Sequence, residues 1–552
     1  MNHEPFQRLA LTRHLETLPR VGDFLLWLFL LSPVLLYPWL GGGRGAIDIL
    51  FAFNLLTSLL WVVLARSLTT RPAALHLSLA PLYITTAVDL FLLFVFRARL
   101  SSGFITIALT DYSEAREFLV AYAKPACTAV LTLVLVYLPG LYVVRPFRKK
   151  RSPRVAAFAA ALLLAAYAAP FAQSVRNGVA SDRAALDIIG KEMSAPVGAV
   201  FQAALALHLH ADTSELRASR ERHSFGATKK PSAQGETFVY VIGESSRPQN
   251  WSLFGYSRST TPRLDSTTGL VPLPNMLTTA PHTAYAVPSM LSLQPITQWA
   301  SVVADKSIVA AFNEAGFKTF WLSTQEADAW GGIIPQVASE AKRRSYFDRS
   351  YDGAMLDTFR AILDGAPGNA KLFIVLHTKG SHFNFARRYP PEFTRFSTPG
   401  GTRSENLVDT YDNSILYTDW FLSEIISSLS QHEAFSALFY ASDHGENLLD
   451  DENGFFGHAL GTRYDLAAAA FLWLSDSLQR DRPALVEAAQ RNAPTNLSLS
   501  NIPHSILELA GIRAKGLDPT MSIFSPNFAN RVRSYVVRGD LRQESAPTGR
   551  MP

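Results

Sequence analysis

The sequence predicts an α-helical membrane domain of five spans followed by an α/β soluble domain built on a largely parallel sheet. Three observations lead there. The 552 residues are 48% hydrophobic, with a mean hydropathy of +0.10, and the apolar excess is confined to residues 23–172. Within that stretch Leu, Ala, Val and Phe fall into five blocks, each near the roughly 20 residues that a spanning helix requires. Beyond residue 235 the composition becomes that of a globular protein, with short apolar runs alternating with helical patterns.

The five blocks are 23–40, 46–65, 73–96, 126–144 and 155–172. Further spans follow the first at once and no small-residue cleavage site stands out after it, so it reads as an anchor and not as a cleaved signal. Lys and Arg set the orientation. Arg8, Arg13, Arg20, Arg66, Arg71 and the six basic residues of RPFRKKRSPR (145–154) fall on one side of the predicted membrane, eleven against the five of the opposite loops (Arg44, Arg97, Arg99, Arg116 and Lys124). The N-terminus is therefore expected in the cytoplasm, and an odd number of crossings puts everything after residue 172 on the other side. In the outer loop between the third and fourth spans, TIALTDYSEAREF, Thr106, Thr110 and Glu114 recur every four residues and share one helical face. A solvated interfacial helix and a lipid-headgroup site both fit that spacing.

Residues 173–235 are polar with Ala-rich periodic stretches and close on GATKKPSAQG, which reads as a helical linker ending in a loop along the membrane surface. The runs TFVYVIG (237–243), KTFWLS (318–323), KLFIVLH (371–377) and SALFYAS (436–442) then read as parallel strands separated by helices. The expected division is a transmembrane domain over 1–172, a linker over 173–235, a catalytic domain over 236–535 and a C-terminal tail over 536–552. In open α/β sheets functional groups gather at the carboxyl ends of the strands. Here Glu244-Ser245-Ser246 follows the first run, His377 and His382 close the third, and Ser442-Asp443-His444-Gly445-Glu446 follows the fourth.

Glu244, Asp443 and His444 supply two carboxylates and an imidazole from separate strands, and one further oxygen completes the tetrahedral sphere that zinc favours. Singly, each has an ordinary use: Glu244 as a helix cap, Asp443-His444 as a surface turn. The fourth oxygen is available in TTAPHTAYAVPSMLSL (278–293), where Thr283 opens a helical pattern and meets free N–H groups and the helix dipole; its structural use is an N-cap. Coordination by zinc lowers such a hydroxyl's pKa enough to make it a nucleophile at neutral pH. His377, His382 and His458 stand just past these strand ends and suit either a second zinc position or donors to charge developing on a phosphate.

Composition excludes other classes. The formal net charge of +5 and isoelectric point of about 9.1 do not indicate nucleic acid, because many of the basic residues flank apolar blocks, as the run 145–154 does, and act as topology signals. The one cysteine, Cys127, lies in an apolar block, so the soluble part can hold neither a disulfide nor a thiolate-bound metal.

These segments together resemble the bacterial phosphoethanolamine transferases of the sulfatase and alkaline-phosphatase superfamily. The motifs that carry the resemblance are VIGESSR with GYSRSTTP (255–262), TAYAVPSM (283–290), LHTKGSH (376–382), SDHGE (442–446) and the glycine-flanked His458. The resemblance implies a soluble domain of alkaline-phosphatase or sulfatase type in the periplasm, anchored in the inner membrane. It implies a zinc site of Glu244, Thr283, Asp443 and His444, with Thr283 the residue that becomes phosphorylated. It further implies substrate contacts at His382, His458 and His377, and headgroup contacts at Thr110 and Glu114, with phosphatidylethanolamine as donor and an envelope glycan or lipid as acceptor (lipid A, core oligosaccharide or a periplasmic glucan). The chain departs from family members that act on lipid A in having Thr279 and Ser289 where a disulfide commonly brackets the nucleophile, and Thr106 where some members have asparagine. A lysine frequent after the second core strand is absent from WLSTQEADAWGG (321–332); Thr324 and Gln325 lie near that place as substrate contacts. A phosphoglycerol transferase of the lipoteichoic acid synthase type and an inactive membrane scaffold are the alternatives. A true sulfatase is disfavoured, because the soluble part has no cysteine to become formylglycine.

Overall fold

A computed structural model describes residues 28–32, 35–36, 49–96, 100, 123–143, 153–176, 213–325, 333–347, 350–432, 434–450, 454–537 and 540–544. The chain divides into two compact units, Met1–Ala211 and Asp212–Pro552. Thr106, Thr110 and Glu114 of the expected headgroup loop lie outside the described residues, as do linker residues 177–212 and tail residues 545–552.

Among the described residues of the first unit, four helices stand over apolar blocks, α1 (Ile49–Leu68), α2 (Pro72–Phe96), α3 (Ala123–Val143) and α4 (Pro153–Arg176), and residues 28–32 and 35–36 of the block 23–40 are also helical. Of the block 23–40 only residues 28–32 and 35–36 are described, and there Phe29 and Leu30 are buried with Val62, Leu79 and Tyr83 of α1 and α2. Among the described residues one helix, over Pro72–Phe94, is long and apolar enough to cross a membrane, with shorter apolar stretches at Leu55–Leu68 and Pro153–Ala165. Leu77, Phe94, Leu135, Phe158 and Leu164 remain exposed on these helices. Apolar side chains pointing outward are what a hydrocarbon solvent permits and water penalises.

The second unit is organised by a seven-stranded sheet of β1 (Glu236–Gly243), β2 (Leu270–Pro272), β3 (Lys318–Ser323), β4 (Arg343–Tyr346), β5 (Lys371–His377), β6 (Phe435–Ser442) and β7 (Ala470–Leu474), in the spatial order β2-β7-β6-β1-β5-β3-β4. The strands β6, β1, β5, β3 and β4 run parallel, while β7 runs antiparallel between β6 and the edge strand β2. Both faces of β1 are covered. Phe238, Tyr240 and Ile242 enter one core with Phe312, Val287 and Ile506, and Val239 and Val241 enter the other with Phe359, Phe421 and Ile425. That is why this strand is apolar at nearly every position and does not alternate. The second core is closed by α7 (Met355–Asp364) and the long α8 (Arg403–Ser430), whose start is fixed by a reciprocal capping box between Thr402 and Glu405.

The unit begins earlier than composition suggests. Residues 213–235, expected as linker, pack into it: Arg220 of α5 (Thr213–Arg222) donates to the Val303 carbonyl at 2.9 Å and pairs with Glu340, and Glu314 accepts the Phe225 and Ala227 amides at 3.1 and 2.8 Å. A two-residue strand, Thr228–Lys229, pairs antiparallel with Ile512–Arg513. The segment is polar because its bonds to the domain are polar, which disguises a docked arm as a linker. At the other end Arg533–Val537 and Asp540–Glu544 form a hairpin, so the expected boundary at 535 falls inside a structural element.

His504, buried on α9 (Asn501–Leu509), accepts the Asp518 amide through Nδ1 at 3.1 Å, and burial pushes its pKa down to about 4. A folded pKa below the unfolded value gives stability that is present above about pH 6.5 and is lost as pH falls toward 4. Wild-type protein should lose about 2 kcal/mol between pH 7 and pH 5 from this group. Thermal melts of His504→Gln should show a smaller drop over the same interval.

Candidate active site

Strand register builds this site. Ile242 of β1 pairs with His377 of β5, Gly243 of β1 with Ser442 of β6, and Ser323 of β3 with His377. Glu244 and Asp443, next after Gly243 and Ser442, therefore emerge at one level on the carboxyl edge of the sheet, with Thr378 and Thr324 one position before that level. Ser245 takes a left-handed φ of 55° directly after Glu244, and its amide donates to Asp443 Oδ1 at 3.2 Å. The loop before the short helix α6 (Thr283–Ser289) is tied to the same edge by Thr278 Oγ1, which donates to the Asp443 carbonyl at 2.5 Å.

Glu244, Asp443 and His444 offer ligand atoms that all lie within 4.8 Å of one another, and all three side chains are buried. His444 Nε2 is 3.3 Å from Glu244 Oε1 and 3.4 Å from Asp443 Oδ2. Half-buried Thr283 closes the group: its Oγ1 lies 3.2 and 3.3 Å from the two Glu244 oxygens and 3.3 Å from His444 Nε2. Burial, reinforced by the Glu244 charge, pushes the Asp443 carboxyl up to about 6. Burial acts the same way on Glu244, but the hydrogen bond and charge of His444, with His382 and His458 behind it, outweigh it and hold that carboxyl well below the usual range. For His444, burial favours the neutral ring, yet Asp443 and Glu244 together raise its pKa to about 10. The His444 ring thus offsets part of the charge of two buried carboxylates.

The residues also fit a divalent cation. The Gly445 carbonyl, which can only accept, lies 2.8 Å from His444 Nδ1, so Nδ1 carries a proton and Nε2 is the nitrogen turned toward the carboxylates. Asp443 Oδ2 is buried and accepts no hydrogen bond from any described residue, the condition of an oxygen left for a cation. Two carboxylates, one imidazole and one hydroxyl, with no thiol in this unit, are donors that zinc accepts.

Around this group stand further histidines. Asn447–Leu448 and Phe456–Gly457 form a short antiparallel ladder that returns His458 to the site. Its ring lies 4.2 Å from that of His444 and 6.4 Å from those of His382 and His282. His458 Nδ1 is held 3.1 Å from Glu446 Oε2, and the Ala459 amide donates to the Pro281 carbonyl at 2.8 Å, linking this loop to the one that carries Thr283. His377 packs as a core residue: its ring meets Trp321 edge-on at 5.8 Å, and burial lowers its pKa to about 4. Gln325 lies against Glu244, donating through Nε2 to Oε2 at 3.3 Å and to the Thr378 carbonyl at 2.9 Å. The sequence reading assigned no role to His282, whose Nδ1 accepts the Ala284 amide at 3.2 Å as the N-cap of α6, or to Lys379, whose Nζ donates to Gln325 Oε1 at 3.1 Å. A histidine immediately before the candidate nucleophile was the available signal for the first; nothing local announces the second.

Buried Asp352 holds the loop after β5, accepting from Thr324 Oγ1 at 2.5 Å, the Lys379 amide at 2.8 Å and the Gly380 amide at 3.0 Å. Gly380 has a φ of 49°, and a Cβ there would stand 2.9 Å from both the nitrogen and the carbonyl oxygen of Glu244.

The family model described as Sulfatase matches residues 236–512. The chain is 29% identical to phosphoethanolamine transferase EptC of Escherichia coli strain K12 over 320 residues, covering 54% of each protein. It is 30% identical to phosphoethanolamine transferase EptA of the same strain over 300 residues, 50% of this chain and 53% of the relative. The chain thus spans about half the length of the curated relatives it matches. The crystal structure of the C-terminal periplasmic domain of E. coli EptC in complex with zinc superimposes with a TM-score of 0.53 at 25% identity, covering 58% of this chain and 96% of that one. The integral membrane protein lipooligosaccharide phosphoethanolamine transferase A (EptA) of Neisseria meningitidis superimposes with a TM-score of 0.66 over 90% of this chain and 97% of that one; at 21% identity this is a likeness of fold. The second unit therefore has the sulfatase-type α/β fold.

Gly380→Ala should destabilise the protein more than Gly400→Ala. Both positions have a positive φ, but a Cβ at Gly400 meets nothing within 4 Å, so that variant isolates the conformational penalty of about 1–2 kcal/mol. Thermal melts of the two variants should differ by the collision with the Glu244 backbone.

Proposed function

We propose that this chain, which belongs to the sulfatase family, transfers phosphoethanolamine from phosphatidylethanolamine to a hydroxyl or phosphate of a cell-envelope glycan or lipid. The group passes through a covalent intermediate on Thr283. The observation that carries the reading is the position of Thr283 Oγ1, a half-buried hydroxyl within 3.3 Å of a buried carboxylate and a buried imidazole at the carboxyl edge of the sheet. Relatives named as phosphoethanolamine transferases support the choice of group.

Glu244, Asp443, His444 and Thr283 Oγ1 would hold zinc, which supplies Lewis-acid stabilisation of the threonine alkoxide and of the phosphoryl charge. The protein's own part is orientation. Glu244 and His444 fix Oγ1 from two sides, and Thr283 is the first residue of α6, where the helix dipole favours an anionic oxygen. In the first half-reaction the Thr283 Oγ1–phosphorus bond forms as the phosphorus–oxygen bond to diacylglycerol breaks; in the second an acceptor oxygen displaces Thr283. His382 and His458 are the donors for the phosphoryl oxygens, with His458 oriented by Glu446. Such positioning with fixed donors is where most catalysis of phosphoryl transfer arises.

The same proposal includes a five-span anchor in a bacterial inner membrane, with the catalytic unit in the periplasm and Thr110 and Glu114 of the outer loop meeting the lipid headgroup. It is supported by the eleven-to-five distribution of basic residues between the two sides and by the likeness of fold to an integral membrane protein.

Release of diacylglycerol from phosphatidylethanolamine by the full-length protein in detergent tests the reading. Thr283→Ala should lower the rate by roughly 10³-fold or more, while metal analysis of the purified wild type should find zinc. Full activity of Thr283→Ala would remove the nucleophile, and an active protein without zinc would remove the metal.

A further inference from the structure

We propose that Gln325 and Lys379 form a positioning relay that fixes the orientation of the Glu244 carboxylate as a metal ligand; the inference rests on the zinc-site reading above. Gln325 uses all of its amide. Its Nε2 donates to Glu244 Oε2 at 3.3 Å and to the Thr378 carbonyl at 2.9 Å, and its Oε1 accepts from Lys379 Nζ at 3.1 Å. The two ends of a glutamine amide have nearly the same shape, so its orientation is fixed by what surrounds it. A flipped amide would aim Oε1 at the Thr378 carbonyl and the Glu244 carboxylate, and would aim Nε2 at an ammonium that has three donors and no acceptor. Lys379 therefore selects the orientation in which Gln325 donates to Glu244.

The consequence falls on Glu244. Gln325 holds Oε2 and Ser245 Oγ holds Oε1 at 3.0 Å, so the carboxylate is fixed from both sides with Oε1 3.3 Å from His444 Nε2 and Thr283 Oγ1 3.2 and 3.3 Å from the two oxygens. Gln325 acts through Glu244, by fixing the plane of its carboxylate beside Thr283 and His444. Both ends of the relay are pinned by one residue: buried Asp352 accepts from Thr324 Oγ1 beside Gln325 and from the Lys379 amide. The partners lie 54 positions apart, and Asp352 fixes their separation.

Zinc affinity of the full-length protein in detergent, read by competition with a chromophoric chelator, tests the relay. Outer contacts that orient a metal ligand are worth roughly 10- to 100-fold in affinity. Gln325→Ala and the longer Gln325→Met, which keeps side-chain length without an amide, should both weaken zinc binding by about tenfold or more. Lys379→Met should weaken it by itself and add nothing in the Gln325→Ala background, and Lys379→Arg should restore most of the loss. A purely structural contribution of Lys379 would lower the melting temperature equally in both backgrounds and leave zinc affinity alone. Unchanged affinity in both Gln325 variants, or the same loss from Lys379→Met with and without Gln325, would overturn the relay. A wild type that binds no zinc would instead overturn the metal reading on which it rests.

Discussion

Glu244 and Asp443 are two buried carboxylates at the ends of adjacent parallel strands, and the structure around them is arranged to make that proximity tolerable. Gly243 and Ser442 are paired across β1 and β6, so the sheet itself forces the two side chains together. Like charges in a dry environment repel strongly and neither ionises freely. The compensation comes from one imidazole between them, from the Ser245 and His444 amides on Asp443 Oδ1, and from Gln325 on Glu244. On the zinc-site reading, a dication at this point would take the place of the imidazolium charge, and His444 would be a neutral ligand.

The second constraint is backbone proximity. Gly445 has no room for a Cβ, because the Tyr464 and Ala467 carbonyls pass directly over it, and Gly380 presses on the Glu244 backbone. These glycines let three loops converge on one sheet edge without side chains between them. Asp352, Glu446 and Asp465 then supply the acceptors that keep the loops fixed. Asp465 takes the Leu460 and Gly461 amides at 2.7 and 3.0 Å on the way to the His458 loop, and burial pushes its carboxyl up to about 6. The polar network is therefore both the frame of the site and its electrostatic environment.

Much of this was legible in the sequence because buried parallel strands are written as uninterrupted apolar runs. KTFWLS and KLFIVLH coincide with β3 and β5, and polar residues directly after such runs mark the functional edge. Glu244, Asp443 and His444 come from those edges, and Thr283, placed at the start of a helical pattern, stands beside them. What was not legible has physical reasons. The strand β7 (AFLWL) follows directly on alanines 467–469, which blur its start, and β4 (RRSY) is a partly exposed, charged edge strand without an apolar run. The docking of 213–235 depends on Arg220 reaching Glu340, 120 positions away, and the Gln325–Lys379 contact is likewise between distant positions. Such pairings leave no local pattern; they exist only once register has brought the strand ends level.

The most direct test of the account is peptide mass spectrometry of the full-length protein, quenched during turnover with phosphatidylethanolamine. The account predicts a phosphoethanolamine adduct on the peptide that contains Thr283, present in wild type and absent from Thr283→Ala. Turnover without any adduct on that peptide, or an adduct formed from phosphatidylglycerol and not from phosphatidylethanolamine, would contradict it.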